Sequence, residues 1–386
     1  MTTQDESESR VTTEQQPGAD AGRPVSAEPG RCPHCGAPVE PTARFCEACG
    51  SPLTPTEAAA QDDAPDLPIE LTASVPRGEP ASTEPTVVLP RPCQSCGGVV
   101  GSDGYCETCG TKAPSERDHY VERPASWVAA CCDRGVRHHR NEDATAIAAS
   151  AEPGKRAVLV VCDGVSTADD SDVGALAAAR AARDVLVSTR PAGLGVPESR
   201  AAAIEAALVA AAEKGNEAIV ATTRPDAANP ASCTFTAVVV EDDLCVFGNV
   251  GDSRAYWITD AGAGDPVQLT TDDSVAQLRI ASGVPKEEAE EGPQAHAILK
   301  WLGRDSQDFR PSTGSVLLNG SGWVLVCSDG LWNYASEATE LQALIVQLSA
   351  TVGSEPLALA EAMVRWACDQ GGKDNVSVVL ARREAR

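Results

Sequence analysis

Four aspartates in this chain stand where an apolar strand meets a turn, and that placement could do chemistry. Arg156–Cys162 runs into Asp163-Gly164, and 323–328 runs into Asp329-Gly330. Residues 244–251 deliver Asp252, and Asp374-Asn375 opens the apolar run 376–380. An aspartate just past a continuous β-branched run sits at the rim of a buried strand, held on a rigid frame yet able to face a cleft. Several such carboxylates converging would repel one another and lose hydration unless hard divalent cations neutralised them. The pattern therefore asks for magnesium or manganese.

A second chemistry lies upstream. Eight of the 15 cysteines fall into two repeats, Cys32-x2-Cys35-x10-Cys46-x2-Cys49 and Cys93-x2-Cys96-x9-Cys106-x2-Cys109. Each Cys-x2-Cys pair is followed by glycine (Gly36, Gly50, Gly97, Gly110), which supplies permissive backbone just past the second thiolate. Two such pairs close a tetrahedron around one ion, and units this short draw most of their folding energy from the metal. They resemble zinc ribbons, one zinc each. The other seven, Cys131, Cys132, Cys162, Cys233, Cys245, Cys327 and Cys368, lie mostly in apolar segments and are expected to be small buried hydrophobes.

The elements that must position these residues follow from composition. Residues 1–30 read as a disordered acidic tail, 31–52 as the first ribbon, 53–90 as a flexible acidic linker and 91–112 as the second ribbon. A catalytic domain is expected over 126–382. Strands are predicted near 126–132, 144–149, 156–162, 232–240, 244–250, 253–258, 314–318, 322–327 and 375–381. Helices are predicted near 171–188, 198–222, 337–349 and 356–369. Leu341, Leu344, Ile345 and Leu348 give the 337–349 helix a stripe of helical period. Residues 271–300, with Glu287, Glu288, Glu290 and Glu291, read as a flap-like insertion carrying a short helix around 273–282. The fold class expected is α+β, with helices covering antiparallel sheets.

Six motifs appear in one order: Arg140-Asn141-Glu142-Asp143, Asp163-Gly164, Thr234-Phe235-Thr236-Ala237, Gly251-Asp252-Ser253-Arg254-Ala255-Tyr256, Ser328-Asp329-Gly330-Leu331-Trp332 and Asp374-Asn375-Val376-Ser377. That order resembles the metal-dependent Ser/Thr protein phosphatases (type 2C, or PPM) in their bacterial form. The resemblance implies a central β-sandwich flanked by helices (αββα) with a binuclear Mn or Mg centre at one end. It implies that Asp163 bridges two ions, that the Gly164 carbonyl joins one, and that Asp329 and Asp374 hold the other. Glu142 and Asp143 would orient waters at the metals, and Asp252 with Asp329 matches the pair that holds a third metal in bacterial members. A water activated between two cations could then attack phosphorus without a covalent enzyme intermediate. Two positions depart from the family. Four residues before Glu142, where most members carry a phosphate-gripping Arg, this chain has His138, with Arg137 one residue off register. The second motif continues as Asp163-Gly164-Val165-Ser166 where many relatives have Asp-Gly-x-Gly. His138 is expected to take over the phosphate contact.

The formal charge is −25, and residues 1–118 hold 19 acidic against 8 basic side chains, so there is no basic arm in either half. That balance argues against nucleic acid or an anionic membrane as partner. Each ribbon is locally neutral (Arg31 and Arg44 against Glu40 and Glu47; Arg91 and Lys112 against Asp103 and Glu107), which favours a protein contact over a nucleic-acid one. No run approaches 18 apolar residues, and Met1-Thr2-Thr3-Gln4-Asp5-Glu6 lacks a basic, apolar leader, so a cytoplasmic location is expected. The function expected is hydrolysis of phosphoserine and phosphothreonine in proteins, opposing a Ser/Thr kinase. Two alternatives differ in class. One is a catalytically weak scaffold of the same fold that binds phosphoproteins, against which stand the four retained aspartates. The other is a transcription regulator acting through its ribbons, against which stand the charge balance and the neutral knuckles.

Overall fold

The computed structural model describes residues 71–73, 96–101, 104–110, 113, 115–189, 196–292, 294–295 and 297–385. All belong to one compact unit, Pro68–Arg386. The expected tail, the first ribbon, most of the linker and Cys93 lie outside the described residues.

Two six-stranded antiparallel sheets carry the molecule. In the first the order is β1 (Leu71–Ala73), β4 (Ala144–Ser150), β5 (Arg156–Cys162), β7 (Phe235–Glu241), β8 (Leu244–Val250) and β12 (Ser312–Leu317). In the second it is β10 (Val267–Gln268), β9 (Arg254–Thr259), β13 (Gly322–Cys327), β14 (Val376–Arg383), β3 (Val128–Asp133) and β2 (His119–Ala125). A small ladder pairs β6 (Ser232–Cys233) with β11 (Leu302–Gly303).

The strands are apolar on both faces because each face meets a different layer. Along β5, Val158, Val160 and Cys162 pack toward α1 (Ser171–Ser188) and α2 (Pro197–Thr222), while Ala157, Leu159 and Val161 face the other sheet. Along β13, Trp323, Leu325 and Cys327 pack toward α6 (Ala338–Val352) and α7 (Pro356–Asp369), while Val324 and Val326 point inward. This period of two through three stacked cores is the expected αββα sandwich. The insertion holds α3 (Val275–Ala281) and α4 (Lys286–Glu290), and one turn of helix, α5 (Asp329–Trp332), follows β13. Six of the seven remaining cysteines are buried as expected, and Cys368 is half-buried. Among the described residues no single helix is long and apolar enough to cross a membrane.

Three departures from expectation have local causes. Strand β2 has two charged residues and Pro124, at a bulge where its register with β3 shifts, so its sequence does not read as a strand and only an edge position suits it. Inside the segment expected to be a flexible linker, Leu71–Ala73 adds to the edge of β4, with Leu71 opposite Ser150 and Ala73 opposite Ala148. An open edge offers unpaired backbone groups that even a three-residue stretch can use. Lastly, the strand expected over 232–240 is broken at Thr234, which leaves the ladder to serve the site described next.

Candidate active site

Antiparallel pairing brings chain reversals to the same end of the sandwich, and that end collects the carboxylates. The first sheet supplies Glu142 and Asp143 ahead of β4, Asp163 after β5 and Asp252 after β8; the second supplies Asp329 after β13 and Asp374 ahead of β14. Buried polar groups fix each turn. The Asp163 backbone N–H donates to the Thr234 hydroxyl at 2.9 Å, the Thr234 N–H donates to the Asp163 carbonyl at 2.8 Å, and the Thr234 and Ser253 hydroxyls lie 2.8 Å apart. The Ser328 hydroxyl donates to Asp143 Oδ2 at 2.6 Å and accepts from the Ser377 N–H at 2.9 Å, linking β13, β14 and the first-sheet turn. Asn375 accepts from the Glu142 N–H at 2.8 Å and donates to the Arg134 and Arg140 carbonyls.

Electrostatics in the cluster are unfavourable as the carboxylates stand. Burial, then the charges of Asp143, Asp329, Asp374 and Asp252, push the Asp163 carboxyl well above its ordinary range. Burial, then Asp374, Asp252 and Asp143, do the same to Asp329. Asp143 is raised to about 6 by burial, against the hydrogen bonds from Ser328 and Ser377. Asp252 is raised to about 7 by burial and then by Asp272. Three buried oxygens, Glu142 Oε2, Asp143 Oδ1 and Asp329 Oδ1, accept no hydrogen bond. Among the described residues no three carboxylates bring one oxygen each within 4.8 Å of one another, so the cluster is wider than the shell of one ion. Orphaned anionic oxygens, mutual repulsion and a wide spacing fit more than one hard cation, with waters completing the shells.

The basic side chains sit at the rim. His138, half-buried, places Nε2 3.2 Å from Asp374 Oδ1 and Nδ1 3.7 Å from Glu142 Oε2, between two of the candidate carboxylates. Arg140 is committed elsewhere: Nε donates to Glu142 Oε1 at 2.7 Å, and an Nη donates to the Ala168 carbonyl at 2.9 Å and the Ser171 hydroxyl at 3.3 Å. Arg137 is exposed. One contributor is absent from the motifs. Arg117 donates to the Asp143 carbonyl at 2.8 Å and more weakly to those of Asn141 and Asp172, ordering the turn that carries Glu142 and Asp143. It lies ahead of the expected domain start, where no residue pattern singles it out.

The sequence profile of the protein phosphatase 2C family matches residues 134–366, more than half of the chain. The chain belongs to that family. It is a phosphatase, and phosphorylated proteins are its substrates. Among solved structures, the phosphatase PstP/Ppp of Mycobacterium tuberculosis is 29% identical, with a TM-score of 0.53 over 67% of this chain and 98% of that one. A bacterial serine phosphatase is 24% identical (TM-score 0.55, 67% and 98% covered). The S. agalactiae serine/threonine phosphatase is 22% identical (TM-score 0.55, 69% and 100% covered). The last two likenesses speak for the fold alone. No curated protein matches the chain.

The phosphatase also matches a zinc-ribbon profile at residues 31–53. In its second cysteine unit, sulfurs of Cys96, Cys106 and Cys109 all lie within 4.8 Å of one another, with Cys96 and Cys106 3.5 Å apart. Gly97 and Gly110 both adopt positive φ, as the knuckle spacing requires. The Cys109 backbone N–H, and then that of Thr108, hold the Cys106 thiol below its ordinary value against the opposing effect of burial. A lowered Cys106 thiol beside two further cysteine sulfurs within 4.8 Å fits a zinc ion.

Proposed function

We propose that this phosphatase hydrolyses phosphoserine and phosphothreonine in proteins, as the names of its structural neighbours say of them, and that Mn2+ or Mg2+ serves the reaction. Asp163, Asp329 and Asp374, which converge on the rim, are the ligands assigned to two ions together with the Gly164 carbonyl that the family resemblance adds, with Asp252 and Asp329 available to a third. When bound, the cations would neutralise phosphoryl oxygens and lower the pKa of water. The chain's own groups do the rest. Glu142 and Asp143, with oxygens that accept no hydrogen bond, would orient water for the attack. Water oxygen joins phosphorus as the ester P–O bond breaks, and the proton that the water gives up passes, in net terms, to the departing serine or threonine oxygen. His138, poised beside Asp374, meets the phosphate as a hydrogen-bond donor. The observation that carries this reading is the convergence of carboxylates from both sheets on one rim, with buried oxygens unsatisfied.

The ribbons, each taking one zinc, would engage a protein rather than nucleic acid, since their knuckles carry balanced charge. A cognate Ser/Thr kinase would supply the substrates. Buried free thiols and zinc thiolates suit a reducing cytoplasm. Phosphate release from phosphothreonine, phosphoserine and phosphotyrosine peptides tests the reading. Turnover of the first two with manganese is expected. Tight peptide binding without release under any metal would favour a phosphoprotein-binding scaffold instead.

A further inference from the structure

Within the insertion, α3 and α4 pack on each other around Ala276, Ala289 and Ala295, a small apolar cluster separate from the three main cores. Its attachment to the rest of the molecule is polar. At the root, the Asp273 N–H donates to the Gly251 carbonyl at 2.7 Å and an Asp273 oxygen accepts from the Gly251 N–H at 3.2 Å. The outer end is held by one buried side chain. Arg254, 4% exposed on β9, donates to both Asp272 oxygens at 2.7–3.1 Å, to Glu290 of α4 at 3.0 Å and to the Ser336 hydroxyl at 3.0 Å. Its guanidinium carbon stands 3.7 Å from the centre of the Trp332 ring. Ser336 lies 3.1 Å from each Glu290 oxygen, and Lys286 bridges Glu290 and Glu337. A planar fork with five donors can satisfy two carboxylates and a hydroxyl while stacking on an indole, which an ammonium cannot.

What this clamp places is one wall of a groove. A cavity of about 690 Å3 runs from Asp374 and Lys373 past Tyr334 and Trp332 to Glu287 and Glu291 of the insertion. We propose that Arg254 is a positioning residue for protein substrates: by fixing α4 it sets the width of the groove beside Asp374 in which the chain flanking the phosphorylated residue lies. This rests on the phosphatase reading above. A small aryl phosphate reaches the carboxylates without filling the groove, whereas a peptide must enter it.

The test uses the full-length enzyme with manganese, p-nitrophenyl phosphate and a phosphothreonine peptide, together with limited trypsin cleavage after Arg279 and Lys286. Glu290→Ala removes the contacts of α4 with Arg254 and Ser336 and leaves Arg254, Asp272, Trp332 and the Lys286–Glu337 pair in place. It should raise the peptide KM about tenfold, the order expected for losing one charge-assisted hydrogen bond. It should leave kcat on p-nitrophenyl phosphate unchanged and speed cleavage within the insertion. Glu290→Gln, which keeps an acceptor for Arg254, should fall between, and Arg254→Lys should move peptide KM in the same direction as Glu290→Ala. Unchanged peptide KM in these variants, or unchanged cleavage, would overturn the proposal. A parent enzyme silent on both substrates would fail the phosphatase reading itself, and the cleavage comparison alone would then support or overturn the tie.

Discussion

At the scale of single residues, the carboxylate rim stores repulsion that bound cations relieve. Asp163→Asn or Asp329→Asn should lower manganese-supported turnover by several orders of magnitude, because each removes a charged donor from hard cations. Stability in metal-free protein should move the other way. A carboxyl whose folded pKa is raised gives stability below its unfolded pKa and loses it as pH rises through the folded one. For Asp252, raised to about 7, that loss falls between about pH 4 and 7. Asp252→Asn should therefore match the parent near pH 4 and exceed it at pH 8 when both are metal-free, by on the order of a few kcal/mol. Chemical denaturation in EDTA at the two pH values checks this, and equal stabilities at pH 8 would remove the electrostatic argument. At the phosphate contact, His138→Arg should preserve turnover with tighter substrate binding at alkaline pH, because Arg stays charged and binds phosphate bidentately. His138→Ala should raise KM at every pH. An alanine variant kinetically identical to the parent would make His138 a bystander. The ligand candidates are legible in the sequence because an Asp beside a β-branched run announces both its strand and its place at the strand's end. Arg117 is not, since its partner lies 26 residues away and nothing local marks the bond; Thr234 stands in a motif, but its bond to Asp163, 71 residues away, carries no local mark either.

At the scale of elements, the turns matter more than the strands they join. Gly135 sits at φ +71°, and a Cβ there would stand 2.1 Å from the Asp374 carbonyl oxygen. Gly135→Ala should displace the loop that presents Asp374, lowering manganese affinity and turnover roughly tenfold or more while far-UV circular dichroism stays as in the parent. Titration of manganese against turnover reads this directly, and an unshifted midpoint would mean the loop tolerates the methyl. Long apolar strands and the helices near 171–188 and 356–369 follow from periodicity because burial on both faces leaves an unbroken signal. Where a strand is interrupted for the site, as at Thr234, periodicity runs straight through the break. Where it lies on an edge, as in His119–Ala125 and Leu71–Ala73, burial is partial or the stretch too short, and composition misleads.

At the scale of the whole molecule, the sandwich carries a buried acid that the rim chemistry does not use. Glu122, on β2, accepts from the Thr145 hydroxyl at 2.6 Å and is raised to about 7 by burial, against that hydrogen bond. Its contribution is full below about pH 4.5 and lost as pH climbs through 7, costing on the order of 3 kcal/mol once ionised. Glu122→Gln should be as stable as the parent at pH 5 and more stable at pH 8, by thermal or chemical denaturation; a variant less stable at pH 8 would show that the ionised form is the one the fold favours. The helix-flanked sandwich is foreseen by motif order, whereas the attachment of β1 and of the insertion is not, because both depend on docking between distant segments. Zinc should be found at two ions per full-length chain by elemental analysis, and a content near zero would refute the ribbon assignment. The central claim is that cations held by the carboxylate rim drive phosphate release. Manganese titrated into metal-free enzyme, with phosphate release from a phosphothreonine peptide as the readout, tests it most directly. The parent should rise from background to full turnover and Asp329→Asn should stay near background; undiminished turnover in the metal-free parent would contradict the account.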